Sequence, residues 1–238
     1  MATRAFEIDG IQFLVDYRPG KERGKSQGNE FILVKSKALI EFYQAMAQRR
    51  PRAVLEIGMF EGGSLVLFDK LFRPDKLVGI DIRRQPIEPL EEYRAGRDHI
   101  QTYYGLSQSD PKLAGILKRE FPNGIDLVID DASHLYELSR ATFEMCFPLL
   151  KGGGLYVIED WPWSHQAGRQ EKTSGWFDKP ALTNLIFDFI ISMPTSEQIA
   201  QVAVYSHLAV VEKAKIAAGS IDLAEAQKRL RGRSLGRI

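Results

Sequence analysis

From Ala53 onward, short runs of β-branched and other apolar residues alternate with segments long enough to form helices. The runs AVLEIG, KLVGIDI, IQTYYG, IDLVID and GLYVIED read as strands. Between them, SLVLFDKLF, the segment around PLEEYRAG, KLAGILKREF and LYELSRATFEMCFPLL are long enough for crossover helices. Such alternation predicts a parallel sheet covered by helices on both faces. Beyond Asp160 a loop rich in Trp, Ser, Gly and Lys leads to the helix-like LTNLIFDFIISM. QVAVYSHLAVVEKA then reads as two strands joined at Ser206 and His207, a hairpin that closes the sheet with an antiparallel edge. The expected fold is α/β: a Rossmann-like, doubly wound sheet of seven strands, mostly parallel, with an antiparallel C-terminal hairpin strand.

Upstream, KALIEFYQAMAQRR places Leu39, Phe42, Tyr43 and Met46 at helical spacing and predicts an amphipathic helix packed on the domain. Apolar residues left exposed on this helix would permit a homo-oligomer. The preceding DYRPGKERGKSQGNEF is polar and glycine-rich and reads as a mobile arm or a lid. The expected division is an N-terminal arm and helix over residues 1–50, a main domain over 51–215 and a helical, basic tail over 216–238. For the tail, AQKRLRGRSLGRI, a solvated terminus is weighed against contact with an anionic substrate or a subunit.

With 238 residues, 44% hydrophobic and 26% charged, the chain can bury one sizeable core. A net charge of +1 gives no overall basic field, which argues against nucleic acid and anionic membrane surfaces and for small-molecule partners. MATRAFEIDGIQF lacks the apolar core of a signal peptide, and no run reaches the roughly 18 apolar residues of a membrane span. The single cysteine, Cys146, lies in the apolar FEMCFPLL and reads as a small buried hydrophobe. A reducing cytoplasm is the expected setting.

The first strand runs into VLEIGMFEGGSL, where α/β sheets bind nucleotides. Gly58, Gly62 and Gly63 allow a sharp turn and close approach to a ligand. The spacing G-x-x-x-G-G departs from the G-x-G-x-x-G of dinucleotide folds. Glu56 and Glu61 flank the turn, and carboxylates there suit a ligand bearing an ammonium or sulfonium better than a pyrophosphate. Asp81 ends the second strand 23 residues beyond Gly58, close to the spacing of an acid that binds ribose hydroxyls; its alternative is a turn aspartate before Arg83 and Arg84.

These residues resemble the class I S-adenosylmethionine-dependent methyltransferases across roughly Ala53 to Lys213. Glu56 to Ser64 is similar to their first motif, which wraps the methionine part of the cofactor, and Asp81 stands where their ribose-binding acid stands. The resemblance also implies cofactor contacts from Ser107 and Gln108, in the GLSQSD that follows the third strand.

Asp130 and Asp131 end the fourth strand, and Glu159 and Asp160 the fifth, so four carboxylates converge on one edge of the expected sheet. Unrelieved, they would repel one another and raise some of their own pKa values. A hard divalent ion such as Mg²⁺ resolves the repulsion with oxygen ligands. The alternative gives Asp130 to the cofactor, makes Asp131 and Ser133 helix caps and leaves Glu159 and Asp160 in a solvated loop. His134, three residues past Asp131, is able to take a proton at neutral pH. Alone, a histidine at a helix start more often caps or packs.

D-D-x-S-H and I-E-D resemble the metal-dependent sugar O-methyltransferases of macrolide and aminocoumarin biosynthesis, the macrocin and mycinamicin type. That resemblance implies Asp131, Glu159 and Asp160 as Mg²⁺ ligands, His134 as general base, with Asp131 beside it in the catalytic set, and Asp130 completing the cofactor pocket. The expected reaction moves a methyl group from S-adenosylmethionine to a hydroxyl of a sugar or catechol diol. Trp161, Trp163, His165 and Trp176 either line an aromatic substrate wall or pack as a lid. A metal-independent methyltransferase, a non-catalytic cofactor-binding protein and an NAD oxidoreductase remain as alternatives.

Overall fold

The computed structural model describes residues 4–18, 22–215, 221–224 and 236–238, and it divides into two compact units, Met1–Leu106 and Ser107–Ile238. Its main sheet has the expected seven strands. In the first unit, β1 (Arg4–Ile8) and β2 (Ile11–Val15) form an antiparallel hairpin, and β3 (Glu30–Leu33) pairs parallel to β2. Helix α1 (Lys37–Met46), strand β4 (Ala53–Ile57), helix α2 (Gly63–Phe72), strand β5 (Lys76–Asp81), helix α3 (Glu88–Arg94) and strand β6 (Ile100–Tyr104) follow. Strands β4 and β6 both pair with β5 in parallel.

The three-stranded N-terminal sheet departs from the expected arm. Its hairpin turns on Asp9 and Gly10, both left-handed (φ 49° and 75°), as a two-residue turn matched to strand twist requires. The polar stretch after it is fixed in its described part. The buried Asp16 accepts from the Gly24 N–H (2.8 Å) and from the Arg18 guanidinium. Ser26 Oγ donates to the Glu61 carbonyl (2.8 Å) and accepts the Ile32 N–H (3.0 Å).

Ser36 Oγ caps α1 by accepting the Leu39 N–H (3.1 Å), and the buried face of this helix carries Leu39, Ile40 and Tyr43. Tyr43 meets Phe68 edge-on at 4.7 Å, and Phe68 stacks on Phe72 at 5.4 Å, which joins α1 to α2. Phe42 and Met46, expected on the same stripe, are half-buried.

The second unit contains α4 (Lys112–Glu120), β7 (Ile125–Asp130), α5 (Tyr136–Cys146), β8 (Leu150–Glu159), α6 (Thr183–Ser196), β9 (Ile199–Val204) and β10 (Leu208–Lys213). Strands β7 and β8 are parallel, and β10 runs antiparallel to both β8 and β9. The seven-stranded order is β6-β5-β4-β7-β8-β10-β9. Strand β8 starts before the expected GLYVIED and runs through Gly152, Gly153 and Gly154. A Cβ on Gly152 would collide with the Lys215 carbonyl, and one on Gly154 would lie 3.1 Å from the Ile125 carbonyl oxygen, so the glycines serve close backbone approach rather than a loop.

Phe143 anchors the core of this unit, with Phe189 at 4.4 Å, Phe147 at 4.8 Å and Tyr156 at 5.1 Å. Cys146 is buried among them, and burial pushes its thiol pKa up, which leaves it a small apolar residue as expected. Lys213 is also buried. Its ammonium donates to the carbonyls of Phe147 (3.0 Å), Pro148 (3.2 Å) and Leu150 (2.9 Å), which closes the chain reversal after α5.

Most of the expected basic tail, residues 225–235, lies outside the described residues. Its last residues dock on this unit: Arg237 bonds Glu137 (2.8 Å) and covers the Tyr136 ring (4.4 Å), and Asn184 donates to the Ile238 carbonyl (2.7 Å). Among the described residues, no helix is long and apolar enough to cross a membrane.

Two glycines in helices should respond oppositely to alanine. A Cβ on Gly63 would collide with the Ile32 carbonyl, whereas nothing lies within 4 Å of one on the exposed Gly115 in α4. Gly63→Ala should lower urea-unfolding stability by about 1–3 kcal/mol, and Gly115→Ala should raise it by about 0.5–1 kcal/mol. Equal responses would contradict the packing at Gly63.

Candidate functional site

The expected residues of the first unit gather on one turn. Past β4, Gly58 (φ 94°), Phe60 (φ 50°) and Gly62 (φ 80°) adopt left-handed backbone, and Gly63 opens α2. The turn is closed by the Gly58 N–H on the Ile80 carbonyl and the Gly62 N–H on the Met59 carbonyl, each 2.8 Å. Asp81 fastens it from β5. Its Oδ2 accepts the N–H groups of Met59 (2.9 Å) and Phe60 (3.0 Å), and its Oδ1 accepts that of Arg83 (2.8 Å). A carboxylate offers about four acceptor positions, so these three bonds leave room for one more donor such as a ribose hydroxyl. Asp81 therefore meets its turn-aspartate reading and keeps capacity for the other.

Glu56 on β4 is fully buried, and Glu61 and Ser64 are also buried. Arg83 reaches Glu61 at 3.4 Å and donates to the Phe60 carbonyl (3.0 Å), so one cation partly offsets the acidic character of the turn. Arg23 lies over the Phe60 ring at 5.1 Å.

In the second unit, Asp130 ends β7 in full burial. Tyr156 Oη donates to its Oδ2 (3.0 Å) and Gln108 Nε2 to its Oδ1 (3.3 Å). Burial pushes the Asp130 carboxyl up to about 6; the Tyr156 hydrogen bond opposes the rise, and the charge of Asp131 adds to it. Burial also raises the Tyr156 phenol well above its ordinary range, and the Asp130 charge reinforces this, so Tyr156 remains a donor. Ser107 Oγ lies 3.3 Å from Ser109 Oγ.

Asp131, His134 and Asp160 each offer one ligand atom, and the three atoms lie within 4.8 Å of one another. His134 Nε2 stands 4.0 Å from Asp131 Oδ1. Both His134 (φ 54°) and Asp160 (φ 53°) are left-handed, a conformation that costs non-glycine residues about 1–3 kcal/mol and persists only where the surroundings enforce it. The Asp160 N–H donates to the His207 carbonyl (2.7 Å) of the β9–β10 hairpin, and Ser133 Oγ accepts the Leu135 N–H (3.2 Å) at the entry to α5. Of the three expected metal ligands, Asp131 and Asp160 are brought together. Glu159 is buried at the end of β8 and stands outside this cluster. Successive strand residues point to opposite faces, so only the break in the strand at Asp160 would let both acids turn the same way.

The expected aromatic wall is largely occupied by its own members. Trp163 packs on the His134 ring at 4.4 Å, and the Arg169 guanidinium lies 5.2 Å from its centroid. Trp176 meets Trp163 edge-on at 6.0 Å and carries Arg169 (5.3 Å) and Lys179 (5.9 Å). Trp161 Nε1 donates to the Tyr205 carbonyl (2.8 Å), and His165 Nε2 lies 2.6 Å from Thr183 Oγ1. Sequence reasoning missed Thr142, a polar residue in the buried face of α5 that bonds Gln108, and it did not pair Trp163 with His134. A threonine among Phe143 and Cys146 was the available signal for the first; the second had none.

Residues 55–161 match the family described as a methyltransferase domain. The chain is 32% identical over 206 residues to the 8-demethyl-8-(2-methoxy-alpha-L-rhamnosyl)-tetracenomycin-C 3'-O-methyltransferase of Streptomyces olivaceus, covering 77% of this chain and 50% of that protein. It is 34% identical over 131 residues to the mycinamicin VI 2''-O-methyltransferase of Micromonospora griseorubida, covering 50% of this chain and 31% of the relative. Among solved structures, the MycE methyltransferase of the mycinamycin biosynthetic pathway, in complex with Mg, SAH and mycinamycin VI, aligns with a TM-score of 0.59 at 28% identity. That alignment covers 77% of this chain and 51% of the other. The chain thus spans at most about half the length of these relatives.

The burial of Asp130 implies a pH trend. With its folded pKa raised to about 6, the native state holds this proton more tightly than the unfolded chain, and the resulting stability is lost as pH rises from about 4 through 6. In metal-free buffer, Asp130→Asn should therefore gain on the parent across that window, by up to roughly 3 kcal/mol before the cost of any altered hydrogen bonds. Urea-unfolding free energies measured at intervals from pH 4 to 7 check this. A constant difference between the two proteins would mean that Asp130 is not destabilised by ionisation.

Proposed function

We propose that this chain, whose residues 55–161 match the methyltransferase-domain family, is an S-adenosylmethionine-dependent O-methyltransferase. Its acceptor would be a hydroxyl of a sugar or another vicinal diol on a small molecule. The observation that carries the reading is the Asp131–His134–Asp160 cluster, a proton-accepting imidazole beside two carboxylates at the carboxyl ends of β7 and β8. The tetracenomycin relative, named for O-methylation of a rhamnosyl-bearing compound, supports the acceptor class, and the mycinamicin relative is likewise named an O-methyltransferase. Residues 51–215 would form the methyltransferase domain, and a reducing cytoplasm remains the expected setting.

The donor chemistry fits the groups this reading needs. Gly58 to Ser64, with Glu56 and Glu61, would receive the methionine part of S-adenosylmethionine, since carboxylates suit a cationic ligand, and Asp81 would bind the ribose through its remaining acceptor capacity. Ser107 and Asp130 remain candidate cofactor contacts on the sequence resemblance alone. Asp131 and Asp160 are hard oxygen donors suited to Mg²⁺, while Glu159 would have to leave its buried position to join them. When bound, the cofactor supplies an electrophilic methyl group and the cation orients neighbouring acceptor oxygens and eases loss of a hydroxyl proton. His134 Nε2 would take that proton, its ring held by Trp163. Holding the two carboxylates in place is the main contribution of the strand ends, because orientation alone is worth up to about 7–11 kcal/mol of a barrier.

One observation favours a second role for His134. Its Nε2 lies only 4.0 Å from Asp131 Oδ1, so it is placed to ligate a softer divalent ion together with the two aspartates.

Isothermal titration of metal-stripped protein with S-adenosylmethionine, then with Mg²⁺ and a panel of diol-bearing sugars and catechols, tests the reading. Cofactor binding, with acceptor binding that appears only with metal, is expected. His134→Ala should reduce methyl transfer by at least about 10²-fold while leaving cofactor and Mg²⁺ affinity nearly intact. Loss of metal affinity in that variant would make His134 a ligand. Cofactor and acceptor binding without any metal effect would favour a metal-independent methyltransferase, and absence of cofactor binding would overturn the proposal.

A further inference from the structure

We infer that Gln108 is a positioning residue for the loop that carries Asp131 and His134, with both its amide protons committed inside the protein rather than to the cofactor. The inference rests on the metal and base roles proposed above. Gln108 is 95% buried, and its side-chain amide bonds three partners within the second unit. Its Nε2 donates to Asp130 Oδ1 (3.3 Å) and to Thr142 Oγ1 (3.0 Å), and its Oε1 accepts the Ser133 N–H (3.1 Å). Rotating the amide by half a turn would set an NH₂ against the Ser133 N–H and an oxygen against the Asp130 carboxylate, so this orientation is fixed by its partners. Both amide protons are thereby used. An adenine or ribose acceptor would have to displace Asp130 or Thr142 to be bound here.

What the amide holds is the backbone next to the cluster. Ser133 lies between Asp131 and His134, and His134 is left-handed. Its neighbours on both sides are tied: the Ser133 N–H to Gln108 and the Leu135 N–H to Ser133 Oγ. Thr142 completes the brace from α5. Its hydroxyl lies within bonding reach of the Gln108 carbonyl (3.1 Å) and the Leu138 carbonyl (2.9 Å), fixing the segment of Gln108 to the helix that follows His134. One amide side chain thus joins the end of β7, the loop and α5. The strained turn at His134 is enforced from that point, and the spacing of Asp131 to His134 depends on it.

The test is Gln108→Met, which keeps length and loses all three hydrogen bonds. Three quantities are compared with the parent: Mg²⁺ affinity, S-adenosylmethionine affinity in metal-free buffer, and hydrogen exchange at the Ser133 amide. The expected result is Mg²⁺ affinity lower by about ten- to a hundredfold, cofactor affinity within about twofold of the parent, and faster Ser133 exchange. Unchanged Mg²⁺ affinity, or cofactor affinity lost while Mg²⁺ affinity stands, would overturn the inference. A parent that binds neither ligand would defeat the proposed function instead, and Ser133 exchange would still decide the hydrogen bond. Should the variant not fold, the parent decides: Ser133 protection equal with and without cofactor supports the inference, and protection that appears only with cofactor contradicts it.

Discussion

The second unit is organised around carboxylates that crowd the ends of two neighbouring parallel strands. Asp130 and Asp131 are consecutive at the end of β7, and an Asp160 oxygen lies within 4.8 Å of one from Asp131. At an effective dielectric of about 20, two full negative charges at that distance repel by roughly 3–4 kcal/mol. The fold separates the two problems. Asp130 goes inside, where Tyr156 and Gln108 donate to it and its ionisation is held back. Asp131 stays half-buried with Asp160 beside the buried His134, in an arrangement that a cation completes.

Keeping those side chains together costs backbone strain, and the surrounding elements absorb it. His134 and Asp160 both sit in left-handed conformations. The hairpin β9–β10 holds Asp160 through the His207 carbonyl, which gives the antiparallel edge of the sheet a part in the site. Gln108, Thr142 and the start of α5 hold His134 from the other side, with Trp163 against its ring. The first unit solves a related problem differently: Asp81 accepts two N–H groups of the glycine-rich turn and one from Arg83 on its own loop, and so fixes the shape of the turn before any ligand arrives.

Much of this was legible in the chain because it is local. The five parallel strands are short apolar runs bounded by turn residues, and the terminal hairpin shows in QVAVYSHLAVVEKA. The N-terminal hairpin was equally legible in principle, since RAFEI and IQFLV flank an Asp-Gly pair, a strong two-residue turn signal. Its parallel partner β3 was not, because pairing across the intervening polar loop leaves no local trace. The same limit applies to the site. Consecutive acids and a histidine three residues on announce a cluster, but the pleat that buries Glu159 and the left-handed turn at Asp160 depend on where the strand ends. The role of Gln108 depends on partners 22, 25 and 34 residues away, beyond the reach of any pattern in GLSQSD.

The most direct test of a cation site at the ends of β7 and β8 is anomalous diffraction from crystals of the protein soaked in Mn²⁺, a scatterer with the oxygen preference of Mg²⁺. The expected result is a single strong peak within bonding distance of the Asp131 and Asp160 carboxylates, with His134 either joining it as a ligand or standing beside it as a base. Mn²⁺ bound elsewhere, with none between these two carboxylates, would contradict the cation role and leave the cluster as an imidazole paired with two acids.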